Sequence, residues 1–291
     1  MTHRSALSKS LALVLLLLLV TTFSAFGPTT AAFADDNEIA DLHPILEWDI
    51  GYELTYFKYE ETSGGSELMQ EDGILNGLHA ALTYHSEGKP LMWRAEGRFA
   101  GGELDYDGQT WGGDPVTADT DDFILGLRGL VGWDCEHERF ASTLFSGLGY
   151  RYWNDEIDGL GGYEREISWL YIPVGVEAAT PLNEHWIFGA SVEGDVLAYG
   201  WVKSHLSDAV PGFNDPTVKQ DFGSGYGVQT FIYLKRQTKG PISWSIGVFA
   251  DYWDIDESDE ETLTYYGILA GWVVEPDNET TQVGVRASLH W

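Results

Sequence analysis

The sequence predicts an all-β fold, a ten-stranded antiparallel transmembrane β-barrel with short periplasmic turns and long extracellular loops. Three observations carry this reading: an N-terminal export signal, segments of about ten residues in which apolar and polar side chains alternate, and connections that alternate between short and long.

The export signal comes first. Arg4 and Lys9 precede an apolar run from Leu11 to Val20, and Ala32-Phe33-Ala34 has the small-x-small form of a cleavage site. Residues 1–34 are therefore expected to be a signal peptide, 35–44 a short periplasmic segment and 45–291 the barrel. The apolar run is shorter than the ~20 residues a spanning helix needs, and nothing downstream reaches that length.

The first strand places Leu46, Trp48, Ile50, Tyr52, Leu54 and Tyr56 on one face, with Glu47, Asp49, Gly51, Glu53 and Thr55 on the other. The same alternation recurs from Ile74 to His85, Leu91 to Asp105, Phe123 to Trp133, Phe140 to Trp153, Ile167 to Ala179, Trp186 to Lys203, Phe222 to Lys235 and Ile242 to Asp254. In the tenth, Val283, Val285, Ala287, Leu289 and Trp291 oppose Gln282, Gly284, Arg286, Ser288 and His290. An even count returns the chain to the side on which it began.

Short polar turns are expected at 87–90, 136–138, 181–184 and 237–241, and long outer loops at 60–73, 106–121, 154–165, 204–220 and 255–280. A β-sandwich has no need of that regular difference in loop length. Within the last loop, the β-branched and aromatic residues of 262–274 suggest a hairpin beyond the membrane rather than another spanning pair.

With the apolar faces toward lipid, the opposite parity points inward and carries Glu47, Asp49, Glu53, His79, Arg94, Glu96, Arg98, Arg128, Arg151, Glu177, Glu193, Asp195, Asp251 and Arg286. Charges removed from bulk water need partners. The mixture of signs thus implies an ion-paired filling, in a barrel close to the ~8 strands whose interior side chains can occupy.

Lys and Arg number 16 against 46 Asp and Glu, a net charge of −30, which excludes nucleic acid and anionic lipid surfaces as partners. The expected environment is membrane lipid. The outer loops, with Asp105, Asp107, Asp114, Asp119, Asp121 and Asp122 in one and Asp254, Asp256, Glu257, Asp259, Glu260 and Glu261 in another, would attract cationic ligands. No metal-ligand spacing, phosphate loop or cofactor motif is present, so no metal and no cofactor is expected. The lone Cys135 leaves no internal disulfide.

Two short stretches, Tyr171-Ile172-Pro173-Val174-Gly175 and Gly200-Trp201-Val202, together with the order of strands and loops, resemble the omptins, ten-stranded outer-membrane proteases. The resemblance implies a cleft at the outer rim in which an Asp-x-Asp faces an Asp-x-His. Asp105-Tyr106-Asp107 matches the first pair, and Asp208 matches the second aspartate. Val210 stands where the histidine would be, with His205 three residues before Asp208. A general base must reach its water with a pKa near neutrality. The expected function is accordingly a non-enzymatic surface or envelope role in the outer membrane, with an omptin-like protease and a narrow channel as the alternatives.

Overall fold

A computed structural model describes residues 42–291 except 111, 138, 160 and 239; the expected signal peptide and residues 35–41 lie outside the described residues. The chain forms β1 (Leu46–Ser63), β2 (Ser66–His85), β3 (Leu91–Gln109), β4 (Pro115–Glu136), β5 (Ala141–Ile157), β6 (Glu164–Asn183) and β7 (Trp186–Ser204). A one-turn helix α1 (Leu206–Ala209) and the short β8 (Thr217–Gln220) lead to β9 (Gly225–Arg236) and β10 (Ser243–Ile255). A hairpin, β11 (Glu261–Tyr265) and β12 (Ile268–Val273), then precedes β13 (Asp277–His290).

Successive strands pair antiparallel, β7 pairs with β9, and β13 joins β10 to β1, so ten strands close into a ring. β8 adds a short flap on β7, and β11–β12 forms a separate two-stranded sheet. Closure leaves no edge, which a sheet in hydrocarbon requires because unpaired backbone groups find no water there. The outward faces carry exposed apolar side chains in a continuous belt, among them Trp48, Ile50, Leu54, Leu127, Val131, Trp133, Val248, Val285 and Leu289. On β1 the belt runs from Leu46 to Tyr56, a length that suits a tilted crossing of about 9–11 residues. By the rule that such barrels keep their short turns in the periplasm, the rim bearing the connections after β2, β4, β6 and β9 is taken as the periplasmic one.

The outer connections differ from expectation. Pairing of β1 with β2 continues to Ser63↔Ser66, and only Gly64 and Gly65, at φ 59 and 82, make the turn. β3 and β4 stay paired out to Gln109↔Pro115. Three of the five expected long loops are thus largely wall, and only 205–224 and 256–276 are extended connections. The reason is an inversion of pattern. Below Tyr56 the outward residues of β1 are apolar and the inward ones polar; beyond it Lys58 and Glu60 face out, while Phe57 and Tyr59 are buried inside. Adjacent apolar pairs mark the crossover on five of the strands: Tyr56-Phe57, Ile74-Leu75, Phe123-Ile124, Tyr152-Trp153 and Tyr252-Trp253. Past that level the barrel is built like a water-soluble protein around its own core.

Glycines and rings interlock along the inner wall. A Cβ placed on Gly149 would lie 2.1 Å from the Tyr171 ring, on Gly189 2.1 Å from Tyr233, on Gly175 2.4 Å from Phe145 and on Gly284 2.4 Å from Phe249. In each case the ring belongs to the cross-strand partner and lies over the bare backbone.

Candidate functional site

The lumen has two storeys. The periplasmic half holds a cavity of about 220 Å³ lined by charged side chains. Every strand of the belt contributes there through its inward parity. Arg94 makes a two-pronged pair with Glu177 at 2.7 and 2.6 Å. Glu53, fully buried, accepts from Arg98 and from Arg286, both at 2.6 Å, and Arg98 also donates to Asp251 at 2.8 Å. Arg128 bridges Glu96 and Glu193, while Asp195 accepts from Gln229 at 2.9 Å. Asp49 meets His79 Nδ1 at 2.8 Å and the Ser288 hydroxyl at 3.4 Å. Arg151 alone among these lumen arginines has no ion pair among the described residues; its guanidinium stacks 4.8 Å above the Trp169 ring.

One subset has the order of a hydrolytic relay. Ser245 Oγ lies 2.8 Å from His290 Nε2, and His290 Nδ1 lies 3.2 Å from Glu47 Oε1. A relay of that kind also needs free donors for the developing oxyanion. The backbone around Ser245 is held in the ladders with Ser288 and Lys235, and the Lys235 ammonium is paired with Glu47. The group therefore reads as bracing. At the periplasmic mouth His43 stacks on His85, ring centroids 4.6 Å apart, and burial followed by the nearby His85 holds the His43 imidazole below its ordinary value.

The outer storey is closed by apolar side chains. Trp153, Trp169, Trp253, Phe57, Tyr59, Leu75, Leu104, Leu197 and Ile255 are each at most 3% exposed and form one cluster across the barrel. Edge-to-face contacts set Trp153 against Phe57 and Tyr59, and Tyr171 against Trp253. The cluster is packed side chain against side chain, as protein interiors are.

On the outer side of this layer lies an ionic group that sequence reasoning missed. Arg165 donates to Asp155 at 2.7 Å, pairs with Glu61, and lies 3.7 Å from Glu275. Asp122, expected in a solvated loop, is instead buried, accepting from the Trp153 indole at 2.6 Å and from the Thr120 hydroxyl at 2.5 Å. Glu71 is fully buried beside them. These residues stand beyond the lipid belt. Burial, then the neighbouring Asp155 carboxylate, pushes Glu71 far above the usual carboxylate range and Asp122 up to about 7. Burial likewise raises Asp155, and burial with Glu61 raises Glu275 to about 7.

The residues suggested by the omptin resemblance are not brought together. Leu104 is buried and Tyr106 half-buried on the inner parity of β3, so Asp105 and Asp107 are exposed on the outer face of the wall. His205 and Asp208 lie just after β7, with three strands between it and β3. His205 Nε2 contacts Glu166 Oε1 at 2.9 Å, and Glu164, His205 and Asp208 offer ligand atoms within 4.8 Å of one another.

No family model matches the chain, and no curated protein sequence does either. Among solved structures it is similar to the outer membrane protease OmpT from Escherichia coli, with a TM-score of 0.59 and 11% identity over 90% of this chain and 98% of that one. Weaker likenesses are the translocator domain of the autotransporter NalP from Neisseria meningitidis (TM-score 0.43, 11% identity, 97% and 96% covered) and the outer membrane protein OprG from Pseudomonas aeruginosa (0.40, 12%, 84% and 97%). In fold, this chain is a ten-stranded outer-membrane β-barrel of omptin-like layout.

Proposed function

We propose that the protein is a non-conducting, non-enzymatic barrel of the outer membrane that presents an acidic platform to cationic partners at the cell surface. The observation that carries this reading is the apolar closure of the outer storey, which supports a plugged lumen over a pore. The separation of Asp105 and Asp107 from His205 and Asp208 favours it over an omptin-like protease.

Two features supply the platform. Exposed acids crowd the outer wall and the final loop, among them Asp107, Asp121, Asp256, Asp259 and Glu260. The β11–β12 hairpin exposes Tyr266, Ile268 and Trp272 beside them. A basic, amphipathic partner matches both. Long-range attraction of this type weakens with salt, as exposed charges are screened.

The test uses the refolded barrel in planar bilayers and in vesicles. The expected result is no conductance steps, no cleavage of a panel of basic peptides, and salt-sensitive binding of a Lys/Arg-rich amphipathic peptide that Asp256→Asn/Asp259→Asn/Glu260→Gln weakens. Steady wild-type conductance would establish the channel reading instead. Peptide cleavage lost in Asp107→Ala or His205→Ala would establish the protease reading.

A further inference from the structure

We infer that Glu71, Asp122 and Asp155 form a buried site for a calcium-type divalent cation, held inside the barrel between the aromatic closure and the outer rim. The three come from β2, β4 and β5. Asp122 and Asp155 are direct cross-strand partners, and Glu71 lies on the far side of β3, which pairs with both β2 and β4. Their ligand oxygens all lie within 4.8 Å of one another. Oxygens bound to one Ca²⁺ at 2.3–2.6 Å can be at most about 5 Å apart.

The second observation is what these oxygens lack. Glu71 is fully buried, and neither of its carboxylate oxygens has a hydrogen-bond partner among the described residues; Oδ1 of the equally buried Asp155 has none there either. Buried polar atoms are almost always satisfied, so lone pairs converging on one point in a dry interior ask for a ligand. The local charge points the same way. Glu61, Asp155 and Glu275 lie against Arg165, and Glu71 and Asp122 add two more carboxyls beside Asp155, so that acids outnumber the guanidinium among the described residues. Arg165 is already engaged with Glu61 and Asp155, which leaves Glu71 and Asp122 as like charges against a third. A donor set of carboxylate oxygens without nitrogen or sulfur selects a hard cation. Calcium takes such oxygens in flexible geometry, whereas magnesium demands a near-ideal octahedron.

Terbium, which occupies calcium sites and is sensitised by a nearby indole, is the probe. The Trp153 indole donates to Asp122 at 2.6 Å, within the site. The full barrel is refolded into detergent with a chelator, freed of it and titrated with Tb³⁺ under tryptophan excitation. The expected result is a saturable luminescence displaced by Ca²⁺, weakened by at least about tenfold in Glu71→Gln as a charged ligand is lost, and unchanged in Asp256→Asn/Asp259→Asn. Glu71→Gln removes a buried unpaired charge and should refold; Asp122→Asn serves as a second variant. Absence of sensitised luminescence in the refolded wild type would overturn the site, leaving the carboxyls neutralised by protons alone. The same midpoint in both site variants, or loss only in the loop variant, would overturn it too.

Discussion

Glu53→Gln is the substitution that best separates a braced lumen from a wet one. Glu53 is 0% exposed and joins two arginines, Arg98 through Oε2 and Arg286 through Oε1, each at 2.6 Å. After substitution Arg98 keeps Asp251, whereas Arg286 loses its one ion pair among the described residues. Each charge-assisted hydrogen bond contributes roughly 1.5–3 kcal/mol, and a buried charge left without its partner costs about 3–5 kcal/mol. The expected loss is therefore about 3–5 kcal/mol in reversible urea unfolding of the barrel in lipid, followed by tryptophan fluorescence. Were the lumen an open aqueous channel, the pair would behave as an exposed one and contribute about 0–1 kcal/mol. Glu53→Leu combined with Arg286→Met should recover most of the loss, because an apolar pair replaces the ionic one and the end of the residue 286 side chain already lies over the Phe231 and Phe249 rings. A loss below about 1 kcal/mol in Glu53→Gln would refute the braced lumen.

Glu275, with its ordinary value of 4.5 moved to about 7, holds its proton more tightly folded than unfolded. Its contribution is fully present below about pH 4.5 and lost as pH rises through about 7, so with a chelator present Glu275→Gln should be near neutral at pH 5. At pH 8 the same variant should be stabilising by up to roughly 3 kcal/mol in urea midpoints. Gly189→Ala drives a Cβ into the Tyr233 ring and should cost about 1–3 kcal/mol; in a double-mutant cycle Tyr233→Leu should recover at least about 1 kcal/mol of that, and simple additivity would contradict the contact. Trp153→Ala/Trp169→Ala removes two of the largest side chains of the closure and should raise single-channel conductance above a silent wild type; a silent double variant would mean that other residues close the lumen.

The lower lumen was legible in the sequence because lipid supplies the contrast. Where Leu54 and Val285 must be apolar outside, Glu53 and Arg286 stand out as the other face, and parity alone located their charges. The outer storey was illegible for the same reason reversed. With water on the outside, both faces of 60–73 and 106–121 can be polar, and Glu71 or Asp122 looks like any loop acid. The usable signal was the doubled apolar residue, Tyr56-Phe57 or Phe123-Ile124, where the pattern changes sides. Parity could also have turned Asp105 and Asp107 outward, since Leu104 and Tyr106 continue the inner face of β3. The meeting of Ser245 with His290, by contrast, depends on the register of β10 against β13, which no local pattern reveals.

The rings seated on glycines make the strands that carry them keys cut for one lock. A two-residue slip of β9 along β7 would set Tyr233 over Ile187 or Ser191 instead of Gly189, and a slip of β10 along β13 would set Phe249 over Gln282 or Arg286 instead of Gly284. Backbone hydrogen bonds alone accept such slips, since the ladder repeats every two residues. Shape refuses them. Strand addition can therefore be proofread as each wall segment docks, before the salt links that cross the lumen have anything to close upon.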